Sequence, residues 1–244
     1  MPCARFTEVI GQTQSGKSNA SVMAIENSIA GSILPNYNLL QKSSLKIVGE
    51  VYLPIKQHLL VNPGVTMADI REVHSHPMAI QQCLDFLAQH NWKLVETDDT
   101  ALSAKHIHQH KSKHIAGIAG KLAADLFHLQ ILAPDIHTEK SNYTRFLVLQ
   151  PEANIIANAN KASLSFQTDH AIGSLSKVLS RIADAKINLS KLQSFPIPGS
   201  NWKYNFHADL EFETMEQFNK TIEEIKAMTK ALKIFGVYKN AKQH

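Results

Sequence analysis

Cysteine is scarce in this chain of 244 residues: there are two, Cys3 and Cys83. Two thiols cannot build the disulfide framework of a small secreted domain, and they fit a reducing cytosol. No apolar run reaches the roughly 18 residues that a membrane span needs. The opening MPCARFTEVIG lacks the apolar core of a secretory signal. Internal repeats and low-complexity tracts are absent. Charge of one sign is barely in excess: the net charge is +4 and the lysines are scattered, unlike the clustered basic face of a nucleic-acid binder. Hydrophobic residues at 44% and charged residues at 19% are an ordinary globular balance. The expectation is a soluble, cytoplasmic protein that binds neither nucleic acid nor membrane, with length for one large domain or two modest ones.

What is present is periodicity. Before Pro151 the pattern alternates. Ser21 to Ile25, Leu45 to Leu53, Leu94 to Glu96, Ile115 to Ala119 and Phe146 to Leu149 read as strands. Ala79 to His90, Thr100 to His110 and Lys121 to Leu129 read as helices, and such alternation predicts an α/β fold. The stretch Pro151 to Asn160, PEANIIANAN, lacks periodicity and reads as a linker between a domain over 1–152 and another over 161–244. In the second, Leu164 and Phe166 mark a strand, and Leu175, Val178, Leu179 and Ile182 recur at helical spacing. Ile187 to Ile197 is extended and ends at Pro196 and Pro198; Tyr204 to Phe212 alternates. Phe218 to Leu232 carries a second helical stripe, and Ile234 to Tyr238 a last strand. The order βαββαβ is the ferredoxin-like pattern, a four-stranded sheet with two helices on one face.

Several motifs carry a chemical reading beside a plainer one. Gly11 to Ser18, GQTQSGKS, matches the phosphate-loop pattern GxxxxGK[ST]. Such a loop follows a buried strand and opens a helix, so that backbone N–H groups face the phosphates. Here FTEVI spaces its apolar residues like a helix face and SVMAI, after the motif, is strand-like, so the segment reads as a helix-to-strand turn at Ser15-Gly16-Lys17. His106, His110 and His114 recur every four residues and would share a helix face. Their neighbours are Lys105, Lys111 and Lys113, with no carboxylate to orient the imidazoles, so a solvated face is the preferred reading. Three polar segments fall at strand ends, where α/β sheets bind ligands: Glu26-Asn27-Ser28, Ser75-His76-Pro77 and Thr144-Arg145-Phe146. Each alone could equally be a turn or a helix cap.

Together, and in order, these segments resemble one family. VMAIENSIAGSILPNYNLL, GEVYLPIKQHLL, VHSHPMAIQQCLDFL, DTALSA and NYTRFLVL look like the catalytic domain of prephenate dehydratases. KASLSFQTDHAIGSLSKVLSRIADAKINLSKLQSFPI and YNFHADLEF look like their C-terminal ACT domain. The resemblance implies a two-lobed, periplasmic-binding-protein-like α/β catalytic domain with its site in the cleft between lobes, then the ferredoxin-like ACT domain. It begins part-way into the family pattern, implying that the family's N-terminal strand-turn-helix is lacking and that Ser21 to Ile25 or a neighbour is an unpaired edge. The family's Gly-Ala-Leu-Val reads Gly173-Ser174-Leu175-Ser176 here, and its Glu-Ser-Arg-Pro reads Gln193-Ser194-Phe195-Pro196.

The implied reaction converts prephenate to phenylpyruvate with loss of carbon dioxide and water. Aromatisation drives it, so no metal or organic cofactor is implied. The resemblance casts Thr144 as donor to the leaving hydroxyl, His76 as backup donor, and Arg145 as a bidentate grip on the pyruvyl carboxylate. Asn27, Ser28, Ser75 and Thr100 would be neutral substrate donors, and Phe146 a core residue. L-Phenylalanine would bind as feedback inhibitor near Gly173, Leu175, Asn188, Leu189 and Ser194 between paired ACT domains of a homodimer or homotetramer, with affinity altered by the two motif changes. Three alternatives remain: an arogenate dehydratase, a non-catalytic amino-acid sensor of the same fold and, more distantly, a phosphate-loop nucleotide hydrolase.

Overall fold

The computed structural model describes residues 1–153, 158–197, 199 and 203–241. Residues 154–157 of the expected linker and Pro198 lie outside that set. The chain forms two compact units: Met1–Glu26, Ser32–Tyr52 and Arg145–His244 make the first, Asn27–Gly31 and Leu53–Thr144 the second. By compactness, then, the C-terminal sheet goes with the first α/β sheet, although the sequence pattern changes at the linker. Among the described residues no helix is long and apolar enough to cross a membrane.

The first unit opens on a helix, α1 (Phe6–Gln14). The chain turns at Gly16, whose φ of 74° is left-handed, and enters strand β1 (Ser21–Asn27). A helix therefore precedes the GQTQSGKS turn and a strand follows it, the reverse of a phosphate loop. β1 sits inside its sheet rather than at an edge. Strand order is β2 (Gly31–Ser32), β1, β9 (Tyr143–Gln150), β3 (Lys46–Pro54). Helix α2 (Leu34–Lys42), unread in the sequence, has Pro35 in its first turn, where its missing N–H would be unpaired anyway.

The second unit is a five-stranded sheet in the order β6 (Lys93–Glu96), β5 (Glu72–Ser75), β7 (Ile115–Ala119), β4 (His58–Val61), β8 (Gln130–Ala133). β5 runs parallel to β6 and β7, and β4 antiparallel to β7 and β8. Leu59, Val73, Ala116 and Ile118 fill its core. Helix 79–90 is in fact two short helices, α3 (Pro77–Gln82) and α4 (Leu84–Leu87). They break at Cys83, whose φ of −113° leaves the helical region. Helix α5 spans Thr100–Gln109. Helix α6 stops at Leu126, and Gln130–Ala133 becomes strand rather than more helix.

The C-terminal part is the expected βαββαβ: β10 (Lys161–Gln167), α7 (Ser174–Asp184), β11 (Asn188–Pro196), β12 (Tyr204–Glu211), α8 (Met215–Lys226), β13 (Lys230–Tyr238). Strand order β11-β12-β10-β13 is the ferredoxin-like one. One face packs Ala162, Leu164, Phe166, Ala208 and Leu210 against Val178, Ile182, Phe218 and Ile222 of the helices. The other face is buried too. Lys161, Ser163, Ser165, His207 and Asp209 are all enclosed, and Phe195, Phe235 and Tyr238 enter the core that holds Met23, Ile25 and Ile47 of the first sheet and Tyr37 of α2.

Two strand irregularities make this docking. Residues two apart on a regular strand share a face. Yet Leu189 packs on the helix side while Phe195 packs on the other, because a bulge between Leu189 and Lys191 shifts β11 by one residue against β12. A second irregularity on β13 places Gly236 against the backbone of β3: a Cβ there would lie 1.9 Å from the Ile47 carbonyl oxygen. Gly236→Ala is therefore expected to lower stability by about 1–3 kcal/mol, the usual cost of forcing extra volume into a packed core. An unchanged denaturant midpoint would contradict this close approach.

Candidate active site

Asn27 ends β1 and folds the next turn around its own amide. Its Oδ1 accepts from the N–H groups of Ile29 (3.0 Å) and Ala30 (2.9 Å). Its Nδ2 donates to Asn142 Oδ1 (2.7 Å), the Tyr143 carbonyl (3.1 Å) and Thr144 Oγ1 (3.2 Å). Ser28 strengthens the same join: its Oγ donates to the Ser141 carbonyl at 3.0 Å and accepts from the Tyr143 N–H at 2.9 Å. The segments Asn27–Ala30 and Ser141–Thr144 are thus laced together. A threonine hydroxyl that accepts from an amide keeps its own proton to give. Thr144, half-buried, has that arrangement.

A second group lies at the C-terminal edge of the parallel strands. Ser75 ends β5, fully buried, and its Oγ donates to the Ile118 carbonyl at 2.6 Å. His76 caps α3: its Nδ1 accepts from the Met78 N–H at 3.2 Å, so the neutral ring carries its proton on Nε2. Thr100 opens α5 just after the neighbouring strand β6, with Asp99 capping that helix through a 2.8 Å bond from Leu102 N–H.

Arg145 follows Thr144 in the chain but belongs to a different environment. It is buried in the first unit. Its Nε donates to Glu50 at 2.7 Å, one Nη to Glu26 at 3.1 Å and to Asp209 at 2.5 Å, and the other Nη to Tyr238 Oη at 3.0 Å. Lys161, equally buried, donates to Glu50 at 3.0 Å. Asp209 also accepts from Ser163 Oγ at 2.5 Å. The sequence reading gave the guanidinium to a substrate carboxylate; the structure gives it these internal carboxylates. Phe146 is half-buried and outside the aromatic core of the sheet.

Burial alone would raise the Asp209 carboxyl, but the Arg145 charge and the bonds from His207 and Ser163 hold it well below the usual carboxylate range. Glu26 is likewise pushed up by burial and brought below its ordinary value by Lys191 and Arg145. Unfolded, such groups titrate near 3.9 and 4.3, so in that range the unfolded chain binds more protons than the folded one. Their stabilisation is complete above those values and lost as pH falls toward the folded-state ones. The melting temperature is expected to drop steadily as pH falls from about 5 to 3. Asp209→Asn should flatten that limb; a wild-type melting temperature constant over this range would refute the assignment.

A model of the prephenate dehydratase family matches residues 1–154. The chain belongs to the prephenate dehydratase family. The bifunctional chorismate mutase/prephenate dehydratase of Enterobacter agglomerans is 33% identical over 240 residues, or 97% of this chain and 62% of that protein. This chain therefore spans 62% of the length of that curated relative. The crystal structure of prephenate dehydratase from Arthrobacter aurescens in complex with L-Phe is 25% identical, with a TM-score of 0.88 over 99% of this chain and 81% of that one. A structure described as GqqA, a novel type of quorum quenching acylase, is 29% identical, with a TM-score of 0.88 over 99% of this chain and 88% of that one.

Within this prephenate dehydratase family member, sequence reading passed over Glu50, Lys161, Lys191, Asp209 and Tyr238. A signal was there: Lys161 and Asp209 interrupt apolar strands at positions that alternate with core residues, on the sheet face that the helices do not cover. The residues expected to bind phenylalanine divide. Gly173 and Leu175 line a cavity of about 520 Å³ with Thr168–Ser176, Lys203, Tyr204 and Phe206. Asn188, Leu189 and Ser194 do not line it; they lie on β11, an edge strand. His106 and His110 keep their rings together, with centres 4.0 Å apart, but α5 ends at Gln109 and His114 leaves the expected shared face. His114 faces the Asp69 carbonyl at 2.9 Å, and among the described residues no cluster of three metal-ligating side chains converges.

Proposed function

We propose that this chain is a prephenate dehydratase, releasing carbon dioxide and hydroxide from prephenate as the ring aromatises to phenylpyruvate. The observation that carries this beyond family membership is the Asn27–Thr144 bond, in which Thr144 Oγ1 accepts and so keeps its own proton for donation, in this reading to the leaving hydroxyl. A threonine hydroxyl is a weak general acid, so its role is transition-state hydrogen bonding, and His76 Nε2–H is the second donor. Asn27 and Ser28 act by framing Thr144, Ser75 by fixing the end of β5, and Thr100 as a neutral donor. Arg145 is assigned to the internal ion-pair network rather than to the pyruvyl carboxylate, because its donors already face Glu50, Glu26 and Asp209. A shared fold hosts different chemistries, and one similar structure is described as an acylase. Turnover of prephenate, measured beside arogenate and an N-acyl amine, tests the assignment. Prephenate should give the highest kcat/KM; a higher value for either other substrate would replace this reading.

The C-terminal domain we read as an ACT domain that binds phenylalanine. Gly173, at φ 78°, lets backbone approach a ligand at the mouth of the cavity, and Leu175 offers an apolar wall. Asn188, Leu189 and Ser194 fit the same role through a second copy, since the edge strand β11 exposes its outer residues for pairing. The family's Arg position holds Phe195, which packs on Tyr37 at 5.3 Å between ring centres and is spent on domain docking. Phenylalanine is expected to inhibit with a coupling of about 1–3 kcal/mol. Calorimetry showing no heat at millimolar phenylalanine, or a monomer by light scattering, would refute the respective part.

A further inference from the structure

Thr144 and Asn27 are each one residue away from the buried network: Arg145 follows the first and Glu26 precedes the second. The C-terminal domain reaches both. Lys191 donates to Glu26, and also to Ser32 Oγ at 2.7 Å. Glu26 and Ser32 are the two ends of the Asn27–Gly31 turn, so one ammonium clasps the base of the turn that holds Thr144. On the other side, Asp209 binds the Nη of Arg145 that also binds Glu26.

The strand geometry is built for this. Leu189 and Lys191 would share a face on a regular strand, with Lys191 against the helices. The bulge at Ser190 turns Lys191 over, opposite Asp209. The cost of an irregular strand is offset by an ion pair to the first sheet, and the depressed Glu26 carboxyl is consistent with a fully engaged pair.

We infer that Lys191 and Asp209 are positioning residues for the dehydratase site, holding the ends of the Asn27 turn and Arg145 so that the Thr144 hydroxyl is aimed. The inference rests on the dehydratase reading for its kinetic half only.

The test uses the full chain with Lys191→Met, Lys191→Arg and Asp209→Asn. Lys191 is partly exposed, so its variants should fold even if Asp209→Asn does not. In Lys191→Met, kcat for prephenate should fall about tenfold or more, because small displacements of a reacting group are costly. KM should stay within about threefold, and Lys191→Arg should restore most of the rate. Independently of turnover, deuterium uptake at Asn27–Gly31 and Ser141–Thr144 should rise in Lys191→Met. If uptake and kcat both match wild type in folded Lys191→Met, the inference is overturned and the dehydratase reading stands. If wild type never turns over prephenate yet uptake rises in the variant, the positioning link stands and the dehydratase reading falls.

Discussion

Thr144→Val is expected to lower kcat on prephenate by about 10²-fold or more, the usual loss when a transition-state donor is removed. Valine keeps the branched shape and removes only the hydroxyl, so the strand should pack as before. What changes is the partner of Asn27 Nδ2 at 3.2 Å and the proton offered to the leaving group. Hydroxide is a poor leaving group, and hydrogen bonding to it matters most as the C–O bond breaks. The effect should therefore fall on kcat, with KM little changed. Asn27→Ala should lose part of the same rate, because the hydroxyl would then lack the amide donor that orients it. A Thr144→Val enzyme that is folded and retains wild-type kcat removes Thr144 from the chemistry.

Arg145→Met should be strongly destabilising, by about 3–5 kcal/mol, the cost of removing one partner from a buried charge group. Methionine fills the volume but leaves Glu50 and Asp209, both fully enclosed, without their principal cation. Lys161 can still reach Glu50, whereas Asp209 is left with Ser163 and His207. That loss is a large part of the roughly 5–15 kcal/mol that holds a domain together. Denaturant unfolding measures it: a change below about 1 kcal/mol would mean that the network is not ion-paired as described.

The strands SVMAI and IAGIA, the helix from Thr100 and the whole βαββαβ order were legible because each carries its own periodicity. Helix α2 was not, since Leu34–Lys42 has a weak apolar stripe and begins on an unremarked Leu-Pro. Cys83 looked like a continuing helix because nothing in LDFL marks a break. The site was legible in its residue names and less so in its roles. Thr-Arg-Phe draws attention to Arg145, but periodicity cannot say that its partners are Glu50, Asp209 and Tyr238, each far away in the chain. The alternation in β10 and β12 marks one face as buried under the two helices and says nothing of the other. Lys161, Ser163 and Asp209 are buried because the second face meets another sheet, which only the tertiary structure supplies.

The most direct test of the account is stoichiometric. Purified protein is incubated with prephenate at neutral pH beside a protein-free control, with phenylpyruvate and carbon dioxide followed together. Dehydratase chemistry predicts that both products appear in equal amounts, at a rate proportional to protein and strongly reduced in Thr144→Val. Release of neither product above the control, from protein shown to be folded, would contradict the account at its centre.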